Sequence, residues 1–314
     1  MANIGQVIRD IQSLKIQGAT NIALAVLDGL TQTIIDCPKC SSGKLLEVGR
    51  SLASARPNEP LAQNAFRFIF AEKNALPAHY QQRIREYREL IAAAKAKIAA
   101  AGLGLIKNGG TYLTHCHAST VTQVFLAAKK QGKQFAVIAT ETRPLFQGKL
   151  TVQELLAGGI SDVTMVIDTV AVSILAGAKR RIDAVIIGAD LLSAEGFVNK
   201  VGSLALVKAA CERSIPVYCF STLLKFDPQP FTKDLIEQRS SEEIWPGAPR
   251  KLKFYAPAFD YIPYSSRPPK PPSASWRRRA NLKIICEAGI IDGREVKNQA
   301  LALYPFLSGG KTHG

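Results

Sequence analysis

Five short apolar runs dominated by branched residues follow one another between residues 111 and 221: TYLTH, FAVIAT, VTMVID, AVIIGAD and PVYCFS. They are short and continuous rather than alternating, which suits strands covered on both faces. The segments between them read as helices or helix plus loop. STVTQVFLAAKKQG is the clearest, with hydroxyl residues at its start and Gly132 just past its end. TVQELLAGG repeats that punctuation, and VGSLALVKAACERS follows the fourth run. Strand and helix in alternation predict a doubly wound, mainly parallel α/β sheet.

The first hundred residues carry a different period. IGQVIRDIQSLKI, EPLAQNAFRFIFAEKN and AHYQQRIREYRELIAAAKAKIAAAGLGLI place apolar residues at three- and four-residue intervals, as helices do. Gly102, Gly104, Gly109 and Gly110 then punctuate the chain. A boundary near residue 104 is expected, with a helical domain over 1–104 and the α/β domain over 105–314. Late in the chain, SSRPPKPPSASWRRR carries proline at a density no sheet accepts, which predicts a solvated surface insertion over 262–280.

No apolar run approaches the length of a membrane span, and the start lacks the basic-then-apolar layout of a signal peptide, so a cytoplasmic protein without a membrane partner is expected. Cys116, Cys211, Cys219 and Cys286 sit singly among apolar residues, where a thiol behaves as a small hydrophobe. Cys37 and Cys40 in CPKC have half the spacing of a zinc knuckle, but no second pair completes four ligands. A loop turn around Pro38 is favoured over a redox or metal role. The net charge of +15 is scattered apart from Arg277-Arg278-Arg279, and aromatics at 7% are not interleaved with it, so nucleic acid is a weak partner class.

In open α/β sheets the ligand lies beyond the carboxyl ends of the strands. The polar residues best suited to chemistry gather at those ends: HCHAS, ETRP, Asp168-Thr169, GAD and STLLKFD. His115 and His117 alternate with Cys116, which argues against one metal ion closing on all three. A thiol between a strand end and a helix start is expected to ionise more easily, and the competing assignment is plain core packing. Asp190 follows so apolar a run that partial desolvation should raise its carboxyl toward general-acid use, unless it only caps a turn. LLSAEGFVNKVGS reads as a loop or hairpin leading into a helix, with Asn199 and Lys200 at the helix start where phosphate could bind. Arg143 offers a planar fork for phosphate or carboxylate.

THCHAS, TETRPLFQGKLT, GADLLSAEGFVNKVGS and PAFD together resemble ribose-1,5-bisphosphate isomerases. These are grouped with methylthioribose-1-phosphate isomerases and with the α, β and δ subunits of translation initiation factor 2B. The resemblance spans nearly the whole chain and implies an N-terminal helical domain followed by a Rossmann-like domain. It also implies catalytic roles for Cys116 in THC and Asp190 in GAD. Gly18, Ala19, Arg56, Ser119, Arg143, Gln147, Asn199, Lys200 and Lys225 would then hold the substrate, a phosphorylated sugar. Initiation-factor subunits generally lose one or both catalytic residues, and methylthioribose enzymes usually read THCN. A homo-oligomer, dimer or hexamer, is implied as well, and a nucleotide activator would suit a role in nucleoside-monophosphate salvage. No cofactor and no metal are called for.

One departure concerns Gln17, which stands in QGA where the family commonly has RGA. Gln lacks the charge-assisted strength of Arg, and Lys15 is the neighbour that could compensate. The rival of a different class is a non-catalytic regulatory subunit that binds a sugar phosphate or nucleotide. Intact Cys116 and Asp190 favour the enzyme, whereas Gln17 and the basic insertion favour the binder. Nucleic-acid binding driven by charge would instead show steep salt dependence.

Overall fold

A computed structural model describes residues 4–177, 181–264 and 282–308. Helices α1 (Ile4–Gln12), α2 (Ala19–Asp36), α3 (Ser42–Ala53), α4 (Pro60–Ile69) and α5 (Pro77–Leu103) come first. Pro60 and Pro77 open their helices, where the missing N–H costs nothing and the fixed φ is already helical. Ser41 caps α3 by accepting from the Lys44 N–H. The turn after α2 does surround Pro38, but Cys37 and Cys40 are joined there as a disulfide, which a simple turn does not include.

The five apolar runs are strands. They form β1 (Thr111–His115), β2 (Ala136–Thr140), β3 (Val163–Val166), β4 (Ala184–Gly188) and, further on, β7 (Val217–Phe220). Between them lie α6 (Ser119–Lys130), α7 (Gly148–Ala157), α8 (Asp168–Gly177) and α9 (Ser203–Glu212). Asp168, placed at the end of the third run from sequence, instead opens α8. After β4 the chain forms the hairpin β5 (Leu191–Leu192) and β6 (Gly196–Lys200), and later β8 (Phe259–Pro263), β9 (Leu282–Cys286), β10 (Gly289–Asp292) and α10 (Val296–Leu303).

The main sheet has the order β10-β9-β7-β4-β1-β2-β3. Every pairing in it is parallel except the β9–β10 ladder. β4 lies at its middle and β1 beside it, with Leu113 of β1 opposite both Ile138 and Val185. β5, β6 and β8 form a separate antiparallel sheet. Ile262 and Pro263 belong to β8, so the insertion expected from residue 262 starts later. Pro263 is tolerated because β8 is an edge strand. The rest of that proline- and arginine-rich stretch, 265–281, lies outside the described residues.

One hydrophobic core joins the two halves of the chain. Val26, Leu27 and Leu30 of α2 belong to the same buried cluster as Val185, Ile187, Cys219 and Ile284 of the strands. The loops at the carboxyl ends of β1, β2, β4 and β7 are thereby held against the first helices, which matters for the site. No helix among the described residues is long and apolar enough to cross a membrane.

Candidate active site

The site begins where β1 stops. His115 is buried, its Nδ1 2.7 Å from Thr140 Oγ1 and its Nε2 2.9 Å from the Val201 carbonyl. Burial pushes its ring below the usual histidine range, so it serves as a neutral brace. Cys116 then turns out of the sheet at φ 67°. Its N–H donates to Thr142 Oγ1 at 2.9 Å, and its carbonyl accepts from Thr151 at 3.0 Å. His117 leaves in another direction, 3.1 Å from Thr151 and 3.5 Å from Glu154. The two histidines therefore serve separate elements.

The Cys116 thiol donates to Gln147 Oε1 at 3.6 Å, and Gln147 Nε2 donates to Gln17 Oε1 at 3.0 Å. This chain ties the thiol to the QGA turn that opens α2, where Gly18 sits at φ 83° and Ala19 is buried. Crowding, not the helix dipole, governs the thiol. Burial pushes it up to about 11, with Asp190 adding to the rise and Lys200 opposing it. The eased ionisation expected from sequence is thus overturned. Helix α6 starts only at Ser119, behind an Ala118 N-cap, too late to dominate.

Asp190 follows β4 directly, and its N–H donates to the Val198 carbonyl at 2.8 Å as the hairpin folds back. Lys225, from the short 3-10 turn Leu223–Lys225 after β7, donates its ammonium to the Ala189 carbonyl at 2.6 Å, beside Asp190. Asn199 and Lys200 are buried, but they end strand β6 rather than open a helix. Asn199 Nδ2 donates to Ser203 Oγ at 2.9 Å, and Lys200 Nζ lies 4.7 Å from the centre of the Phe259 ring. The start of α9 is already occupied, because Asp260 Oδ2 accepts from the N–H groups of Gly202 at 2.8 Å and Leu204 at 2.9 Å. A phosphate is therefore not needed at that helix start.

Arg56 shares the Phe259 ring, 5.9 Å from its centre, and lies beside two carboxyl groups. Its Nη2 is 2.9 Å from Glu237 Oε2 and its Nη1 is 3.6 Å from Glu59 Oε1. Arg143 lies over the Phe146 ring at 4.8 Å and donates to the Glu243 carbonyl at 3.3 Å. Its backbone is fixed by Asp168, whose carboxylate accepts from the Thr142 and Arg143 N–H groups at 2.8 Å each. Lys15 is spent on Asp10 at 3.5 Å, so it does not replace the charge missing at Gln17.

The Cys116 thiol thus feels both Asp190 and Lys200 at a single rim, with Arg56, Lys225, Gln147 and the QGA turn nearby. Sequence inspection missed Glu59, Thr142, Glu237 and Asp260 as supports, and named Asp168 only as a polar residue at a strand end. Only Thr142 and Asp260 carried a signal, by lying within the TETRP and PAFD motifs. Two clefts, of about 300 and 570 Å³, open elsewhere. They are lined by Gly109, Gly110 and Thr111, at the amino end of β1, on the far side from these residues. The thiol, the carboxyl group and the cations singled out from sequence lie instead at the carboxyl rim.

The model of the initiation factor 2 subunit family matches residues 15–266. The chain belongs to that family. A ribose 1,5-bisphosphate isomerase from Archaeoglobus fulgidus is 32% identical, over 84% of this chain and 86% of that protein. A methylthioribose-1-phosphate isomerase from Heliobacterium modesticaldum is also 32% identical, over 81% of each. Among solved structures, the δ subunit of translation initiation factor 2B from A. fulgidus superposes with a TM-score of 0.69 at 26% identity, covering 98% of this chain and 92% of that one. A 5-methylthioribose 1-phosphate isomerase from Pyrococcus horikoshii reaches a TM-score of 0.74 at 21% identity, over 96% and 88%, and that likeness concerns the fold alone.

Proposed function

We propose that the protein is an aldose–ketose isomerase that converts ribose 1,5-bisphosphate to ribulose 1,5-bisphosphate. The observation carrying this is the Cys116 thiol at the rim, tied through Gln147 to the turn at Gly18, with Asp190 and Lys200 near enough to act on it. The helical residues 1–104 would serve as one domain and 105–314 as the catalytic domain.

Phosphate on C1 locks the sugar as a ring. Asp190 delivers a proton to the ring oxygen as the C1–O bond breaks. Cys116, as thiolate, removes the proton from C2, and that electron pair forms the C1–C2 double bond of an enol. Asp190 then accepts the proton of the C2 hydroxyl while the thiol returns its proton to C1, leaving the ketone at C2. Both groups end as they began. A thiol pushed up to about 11 is scarce as thiolate but strongly basic once formed. Arg56, Lys200 and Lys225 would take one phosphoryl group. The turn at Gly18 and Ala19, with Gln147, Arg143, Asn199 and Ser119, would hold the remainder of the sugar.

Cys116→Ser and Asp190→Asn should each lower kcat at least a thousandfold, with circular dichroism and melting temperature close to those of the parent. Retention of most turnover in Cys116→Ser would contradict this chemistry. Gln17 favours a second reading in which the substrate is methylthioribose 1-phosphate, because a neutral amide suits an uncharged substituent at that end. Comparing kcat/KM for the two substrates separates these.

A second copy of the chain is the proposed partner. β3 is one of the two edge strands of the main sheet, and Met165 on β3, Ile167 just before α8 and Val170 at its start are exposed. An apolar sheet edge left in water invites pairing with another chain. A nucleotide activator in nucleoside-monophosphate salvage remains part of the proposal, without an assigned site.

A further inference from the structure

Glu59 lies in RPNEP, immediately before Pro60 opens α4, and no part of the proposed reaction uses it. It is 1% exposed. Its Oε1 is 3.6 Å from Arg56 Nη1, while its Oε2 is buried with no hydrogen-bond partner among the described residues. A buried carboxyl oxygen without a partner is costly, and a native structure keeps one where a ligand or a proton completes it.

The position is fixed by the scaffold. Asn64, on the same helix, donates its amide to the carbonyls of Leu224 at 2.7 Å and Phe226 at 2.9 Å. This fastens α4 to the turn that carries Lys225. The charged groups that act on Glu59 come from every element packed around it. They are Asp190 after β4, Arg56 in the turn after α3, Lys225 after β7 and Lys200 on β6. Glu59 therefore sits among the very side chains assigned to phosphoryl binding. Burial first, and Asp190 second, push its carboxyl up to about 8 against the three cations, so it is mostly the neutral acid at pH 7.

Charge decides the consequence. With Glu59 neutral, Arg56, Lys200 and Lys225 outnumber the carboxylates beside them, and an excess positive charge remains for an incoming anion. With Glu59 ionised, that excess falls by one charge, and a phosphate dianion meets a carboxylate where the neutral acid would have donated a hydrogen bond. We propose that Glu59 is a ligand-binding residue of this pocket that admits a phosphoryl group as the neutral acid, its free Oε2 contacting the ligand, and excludes one as the carboxylate. This rests on the reading of Arg56, Lys200 and Lys225 as the phosphoryl-binding set.

Isothermal titration of the full chain with ribose 5-phosphate, between pH 7 and 9.5, tests it without requiring turnover. The phosphate is a dianion throughout that range, so its own ionisation contributes little. The wild-type Kd should weaken at least tenfold across the interval, whereas that of Glu59→Gln should stay within about threefold. A wild-type Kd that does not change, a parallel loss in Glu59→Gln, or no binding at either pH would overturn the proposal. The wild-type arm stands even if the variant fails to fold. Absent turnover of ribose 1,5-bisphosphate alongside the expected titrations would overturn the isomerase reading and leave this assignment in place.

Discussion

At the scale of single residues, Cys116 and Asp190 were legible because each terminates an apolar run, and polar residues at strand ends in an α/β sheet sit where ligands bind. Their ionisation was not legible. Placing a thiol before a helix suggests easy loss of its proton, but that ignores how thoroughly the folded chain buries the sulfur, with Gln147 in hydrogen-bond contact and the charge of Asp190 near enough to oppose ionisation. The outcome can be measured by alkylating the intact protein with iodoacetamide and mapping the modified peptide. Labelling at Cys116 should rise about tenfold per pH unit from 7 to 10, since the thiolate fraction grows throughout that range. A plateau below pH 8.5 would show instead an activated thiol. Glu59 gave no signal in the sequence at all. Nothing in RPNEP announces that Lys200 and Lys225, more than a hundred residues away, close around it.

At the scale of elements, the alternation of strands and helices was plain from the period of the apolar residues, and the LLSAEGFVNK hairpin was visible from its composition. The placement of Asn199 and Lys200 was off by one element. Local pattern suggested the start of α9, but pairing of β6 with β8 runs on through Lys200 opposite Phe259, and that long-range ladder extends the strand. The same ladder brings Asp260 to the helix it caps. Residues 227–258, which supply Glu237 and Glu243, show little regular structure and so offered no period to read. α7 provides a test of how strictly the elements position the site. A Cβ at Gly148 would lie 1.7 Å from the Thr140 carbonyl oxygen, a backbone atom that cannot turn aside. Gly148→Ala should therefore cost about 1–3 kcal/mol of stability. Because Gln147 is the preceding residue, kcat should fall as well. Thermal denaturation and steady-state kinetics read the two effects, and a variant with unchanged melting and turnover would refute this packing.

At the scale of the molecule, the shared core explains why a helical first segment and a parallel sheet form one site. α2 and α4 bury their apolar faces in the same cluster as β4, β7 and β9, which carries Gly18 and Arg56 to the rim where Cys116 and Asp190 emerge. That union was not readable from periodicity, which reports the faces of an element and not what covers them. The edge strand β3 leaves Met165 exposed and the start of α8 leaves Val170 exposed, and a second copy is proposed to cover them. The double variant Met165→Asp, Val170→Asp should sediment as a monomer where the parent sediments as a dimer or larger species. An unchanged sedimentation coefficient would move the interface elsewhere. The central claim, that this rim isomerises a phosphorylated pentose, is tested most directly by following ribose 1,5-bisphosphate with phosphorus NMR in the presence of catalytic amounts of the protein. The account predicts loss of the C1 acetal phosphate resonance and growth of the two resonances of ribulose 1,5-bisphosphate. A spectrum that stays unchanged at stoichiometric protein would contradict it.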